Sequence, residues 1–135
     1  IPDGDVAGVI ATTDPETNID IYLGIGGAPE GVLAAAALRC VGGQMQGRLI
    51  LDTPEKVERA KTMGIMDPHK KYEMNELASG DVIVSATGVT DGGLLSGVRF
   101  GHGVIETETL VYRSITGTVR KINAEHRQFE KFNLD

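Results

Sequence analysis

The sequence predicts an α/β fold in which a mixed sheet is flanked by helices. Three observations point there. An apolar/polar alternation at Asn18–Ile25 runs into a glycine turn and then an alanine-rich helix, which is a strand–turn–helix unit. A second such unit follows, with a strand at Gln44–Leu51 and an amphipathic helix that starts at Thr53-Pro54. The last third of the chain then alternates as strands joined by short turns, so antiparallel pairing is added to the α/β part.

Asp3-Gly4-Asp5 is a turn, and Val6–Ala11 continues as a short helix capped by an aspartate. Asn18–Ile25 is read as a strand because its apolar residues alternate and several are β-branched. The helix from Pro29 to about Cys40 is apolar nearly all round and belongs in the interior. Pro29 suits its first turn, and Val41-Gly42-Gly43 ends it. In the helix after Pro54, Glu55 and Arg59 stand at favourable i,i+4 spacing and Gly64 is the stop. Asp67-Pro68 is a turn, and Asn75-Glu76-Leu77 caps a helical turn. Asp81–Ala86 is a buried strand ending at Thr87-Gly88, followed by the glycine-rich loop Thr90–Gly93. Val98–His102 and Ile105–Ser114 are strands, and Ile115–Gly117 forms a hairpin into Thr118–Ile122. The tail beyond Asn123 is polar.

With 135 residues and 41% hydrophobic content, the chain is long enough for one core and too apolar for disorder. There is no Trp, so Val, Ile, Leu and Ala must build that core. No internal repeat or interdomain linker divides residues 1–135. A net charge of −6, without a basic stripe, argues against nonspecific nucleic-acid binding. The longest apolar run, Val32–Leu38, is too short for a bilayer, so no membrane partner is expected. The lone Cys40 fits a reducing cytoplasm and reads as a packing residue. Ile1 stands where an initiator Met is usual, so an upstream portion belonging to the same protein is expected.

The chemistry concentrates at Gly24-Ile25-Gly26-Gly27-Ala28-Pro29-Glu30-Gly31. Glycines let a ligand approach the backbone, and a helix start offers free N–H groups and partial positive charge to a phosphate. Glu30 adds a hard oxygen donor of the kind Mg²⁺ and Mn²⁺ prefer. Asp3 and Asp5 are further carboxylates at a turn into a helix, where a cation or sugar hydroxyls would satisfy them. The plainer reading of all three acids is helix capping and dipole complementation.

A dinucleotide site is the competing reading. Gly24-x-Gly26 precedes a helix and Asp52 follows the next strand, although Pro29 stands where the fingerprint needs a small residue. Thr87–Gly93 reads either as a second ligand loop or, more simply, as a tight turn. Glu106 and Glu108 read as solvated charge on one strand face, and Arg39, Arg48, Arg113 and Arg120 are not ranked by spacing as phosphate ligands. His69, His102 and His126 are too scattered for zinc.

Several long motifs together resemble the carboxyl-terminal part of class II fructose-1,6-bisphosphatases. They are Asp3-Gly4-Asp5-Val6-Ala7-Gly8, Gly24–Gly31 with its alanine-rich helix, Gly42–Leu49, Ala78–Val82 through Ala86–Gly92, Glu106–Val111 and Gly117–Arg120. The resemblance implies the sugar-phosphatase fold of the lithium-sensitive phosphatases, of which this is the carboxyl-terminal half. It implies metal-dependent hydrolysis, with Mn²⁺ or Mg²⁺, of the 1-phosphate of fructose 1,6-bisphosphate in gluconeogenesis, and sedoheptulose 1,7-bisphosphate is an alternative substrate. It implies Glu30 as a metal ligand and Gly27, Asp3 and Asp5 as substrate-binding residues. The family's other metal-binding acids and its water-activating threonine lie upstream. The expectation is therefore half an active site with no catalytic residue of its own, completed by the amino-terminal half of the same protein in a homo-oligomer. A non-catalytic sugar-phosphate or dinucleotide-binding module is the reading from a different class.

Overall fold

The alanine-rich helix sits at the centre of the structure, a computed structural model that describes residues 5–128. It is α2 (Ala28–Val41), and it touches the short helix α1 (Asp5–Ala11) and, further along the chain, α4 (Met74–Leu77). On another side it meets strands β3 (Ile83–Thr87) and β5 (Val104–Arg113). Alanines at its buried positions let these neighbours approach closely: Ala34 to Leu38 and Cys40 are all buried. One core cluster joins Ala37 and Cys40 of α2 to Ile10, Leu95, Leu110 and Tyr112, while another joins Ala35 and Ala36 to Ala78. Gly42, in the left-handed region at φ 81°, ends α2, and its N–H donates to Leu38 O. A side chain could not be accommodated at Gly43, where a Cβ would lie 2.5 Å from Leu38 Cδ2.

The four-stranded sheet is built on β5. Strand β3 pairs with residues 109–113 of β5, and β4 (Arg99–Gly101) pairs with residues 104–106. The hairpin strand β6 (Thr118–His126) pairs with residues 105–113. A separate two-stranded sheet pairs β1 (Gln46–Arg48) with β2 (Lys71–Glu73). Between these two strands lies α3 (Pro54–Thr62), whose Thr53 Oγ1 caps it by accepting from Lys56 N–H at 3.3 Å.

Every strand pair among the described residues is antiparallel, so the expected mixed sheet is corrected to two antiparallel sheets. The physical reason lies at Asn18–Ile25. A parallel strand there needs a neighbour in register, and among the described residues the segment belongs to neither sheet. A 3₁₀ turn at Pro15–Thr17 precedes it, and Asn18 stands in the left-handed region at φ 54°. Strand β1 is also shorter than the expected Gln44–Leu51, because β2 offers a three-residue register only. Strand β3 is half-buried rather than buried: Val84 and Ala86 face the core while Ile83 is 69% exposed.

Candidate functional site

Local geometry at the start of α2 follows from three residues. Gly27 is the N-cap in extended backbone (φ −67°, ψ 145°), and Pro29 occupies the first turn without an N–H to leave unpaired. Glu30 folds back, so that its Oε2 accepts the Gly27 N–H at 2.8 Å. The contact is tight, since a Cβ at Gly27 would sit 3.0 Å from that same oxygen at the end of the flexible Glu30 side chain. The Gly31 N–H donates to Gly27 O at 3.0 Å and closes the first helical bond. The turn from Leu23 through Glu30 is exposed, so the first-turn N–H groups and the Glu30 carboxylate face open space.

The structure brings Gly27 and Glu30 together. Asp3 lies outside the described residues, and Asp5 is described only as the first residue of α1. Helix α1 joins the core through Val6 and Ile10, in the cluster that contains Ala37 and Cys40 of α2. Those positions are about two to three turns along α2 from Glu30. Among the described residues no group of three His, Cys, Asp or Glu side chains could hold a metal ion. The described residues therefore do not by themselves fit the divalent cation that the resemblance implies. Glu30 offers one carboxylate, half of it engaged by Gly27, where Mg²⁺ or Mn²⁺ needs several oxygen donors.

The second glycine loop closes on itself. Asp91 Oδ1 accepts from Gly97 N–H at 2.9 Å and from Arg99 at 3.2 Å, and Val98 N–H donates to Val89 O. Gly88 and Gly97 mark close backbone crossings: a Cβ at Gly88 would meet Ser96 O at 2.0 Å, and one at Gly97 would meet Thr90 C at 2.7 Å. The tight-turn reading of this loop accordingly describes it better than a ligand loop does.

Glu108 is the residue that the sequence reading misjudged. It is not solvated charge. Its Oε2 accepts the Ser96 N–H at 2.7 Å and its Oε1 pairs with Lys121 at 2.7 Å, with the side chain only 12% exposed. Lys121 beside it, and then the Ser96 N–H, hold the Glu108 carboxyl below its ordinary value near 4.5. The sequence signal that would have found it is cross-strand: Lys121 lies opposite Leu110, and so diagonal to Glu108, in the hairpin register.

Other candidates have structural work. Arg39 Nε donates to Gly80 O at 2.8 Å, and its guanidinium also donates to Asn75 Oδ1, tying the end of α2 to α4 and to the segment after it. Asp52, the acid of the dinucleotide reading, pairs with Lys56 at 2.6 Å. That reading also lacks its strand before Gly24, so the geometry gives it no support. Cys40 is buried, its thiol donates to Ala36 O at 3.3 Å, and burial pushes its pKa up, as expected of a packing residue. Among the described residues no helix is long and apolar enough to cross a membrane.

The description "Bacterial fructose-1,6-bisphosphatase, glpX-encoded" matches residues 1–126. A protein of Trichormus variabilis named D-fructose 1,6-bisphosphatase class 2/sedoheptulose 1,7-bisphosphatase is 46% identical over 93% of this chain and 40% of its own length. A protein of Crocosphaera subtropica with the same name is 46% identical over 95% of this chain and 41% of its own. One from Synechocystis sp. is 44% identical, with 93% and 40% covered. The chain thus spans about 40% of the length of the curated relatives it matches. With a match that runs across α2, its glycine turn and all the strands, the chain belongs to the bacterial, glpX-encoded fructose-1,6-bisphosphatase family.

Proposed function

We propose that this chain supplies one side of the active site of a sugar-bisphosphate phosphatase. The reaction is hydrolysis of the 1-phosphate of fructose 1,6-bisphosphate, in which water adds to phosphorus and the C1 oxygen leaves as the alcohol of fructose 6-phosphate. The observation that carries the reading is the exposed pairing of Gly27 with Glu30 at the start of α2, inside the segment shared with relatives of that name.

In this reading the Gly27 backbone and the first turn of α2 receive phosphate oxygens, because helix N-termini favour anions. Asp3 and Asp5 accept hydrogen bonds from sugar hydroxyls. Glu30 is one ligand of a divalent cation, Mn²⁺ or Mg²⁺, whose other ligands come from the amino-terminal half of the family's chain. Such an ion supplies charge neutralisation at the phosphoryl oxygens. The relatives' double name supports sedoheptulose 1,7-bisphosphate as a further substrate, since the two sugars present the same 1-phosphate end.

The test is Glu30→Gln in a fusion that joins the amino-terminal part of the Trichormus variabilis relative to this chain. Turnover should fall on the order of 100-fold or more, the scale of losing one electrostatic stabiliser. Mn²⁺ affinity, read by calorimetry, should weaken in parallel. Unchanged affinity and turnover at limiting Mn²⁺ would remove Glu30 from the site.

A further inference from the structure

The turn that ends α3 sorts its side chains into two groups. The Gly64 N–H donates to Lys61 O and the Ile65 N–H to Ala60 O, both at 2.9 Å, with Gly64 in the left-handed region at φ 86°. This pair of bonds reverses the chain at a helix end and favours an inward apolar residue just after the glycine. Ala60 is buried and Ile65 half-buried accordingly. Met63 and Met66, before and after that pivot, are left outside at 70 and 77% exposed. The other two of the chain's four methionines are placed differently. Met45 and Met74 are half-buried and pack against the cluster of Ala35, Ala36 and Ala78. Met45 Cε also lies 3.9 Å from where a Cβ at Gly31 would stand, beside the first turn of α2.

We propose that Met63 and Met66 form a modification site for hydroperoxides, at which both thioethers are oxidised to sulfoxides in the folded protein while Met45 and Met74 are spared. The sulfur lone pair attacks one peroxide oxygen, and the S–O bond forms as the O–O bond breaks. The departing hydroxide takes the proton left on the transferred oxygen, so the products are a sulfoxide and water. Sulfur loses two electrons and the peroxide gains them. An exposed thioether meets the oxidant directly, whereas a packed one waits for the fold to open locally. The consequences differ as well. A sulfoxide at Met63 or Met66 turns its new polar oxygen to water, and the turn itself is held by backbone bonds and by Gly64. At Met45 or Met74 the same oxygen would be pressed against apolar side chains of the core. Exposure also keeps the two sulfoxides within reach of the reductases that restore methionine.

The experiment treats this chain with hydrogen peroxide, quenches it at intervals and digests it with trypsin. Cleavage at Lys and Arg separates the sulfurs: residues 62–70 carry Met63 and Met66, residues 40–48 carry Met45 and residues 72–99 carry Met74. Mass spectrometry should show Met63 and Met66 each gaining an oxygen atom at least about 10-fold faster than Met45 and Met74. In concentrated urea, where burial is lost, the four rates should converge to within about 2-fold. Equal rates in the folded chain would overturn the proposal. So would a preference that persists in urea, since local sequence and not the fold would then select the sulfurs. Chain oxidised at Met63 and Met66 alone should keep its melting temperature, and a fall of about 5 °C or more would show that these sulfurs belong to the packing.

Discussion

Two carboxylates hold the loop between β3 and β4, Asp91 from within it and Glu108 from β5. Glu108 reaches from the middle of β5 to the Ser96 N–H on one side and to Lys121 on β6 on the other, each at 2.7 Å. Because its folded pKa lies below the ordinary value near 4.5, its contribution to stability is present above that value and is lost as pH falls through the folded one. Glu108→Gln should therefore lower the melting temperature at pH 7, and the difference should shrink as the pH is taken down through the lowered pKa of wild-type Glu108. Thermal unfolding followed from pH 7 down through that range checks this, and an equal deficit throughout would show that the charge is immaterial. Residue-scale legibility was uneven in the sequence. Cys40 reads correctly as packing: it follows the apolar run Ala34–Leu38 in sequence and is buried with Ile10, Ala37, Leu95, Leu110 and Tyr112. Glu108 does not: Lys121 follows from the hairpin register, but Ser96 comes from a loop whose approach to β5 no local signal announces.

Helices were the legible elements and strands the less legible ones. Helix α2 announces itself by Pro29, its alanines and the glycines after Val41, all of them local signals. Helix α3 does so by Thr53-Pro54 and Gly64. A strand depends on a partner that can be far along the chain, and Asn18–Ile25 shows the consequence: it has the alternation of a strand and pairs with neither sheet. Because α2 organises both core clusters, its packing should dominate stability. Leu38 is 1% exposed, and Leu38→Ala should cost about 2–5 kcal/mol, measured as a lower urea midpoint at unchanged slope. A loss under 1 kcal/mol would mean that α2 is not the centre of a tight core.

At the scale of the whole molecule, the family was legible because long motifs spread from Asp3 to Arg120 are read without any knowledge of pairing. The site was legible in part. Gly27 and Glu30 meet as their spacing in one turn requires, because an N-cap and the third helical residue are neighbours in any α-helix. The relation of Asp3 and Asp5 to that turn is tertiary: Asp3 lies outside the described residues, and α1 reaches the core well along α2 from Glu30. In the proposed reading, the exposed Glu30 carboxylate needs further metal donors, and no cluster of three such groups is found among the described residues. The central claim is that the rest of the family's chain supplies them. It is tested most directly by phosphate release from fructose 1,6-bisphosphate with Mn²⁺, for this chain alone and for its fusion with the amino-terminal part of a relative. The account predicts release by the fusion and none by the chain alone. Release by the chain alone would contradict it, because residues of this chain would then suffice for the whole site.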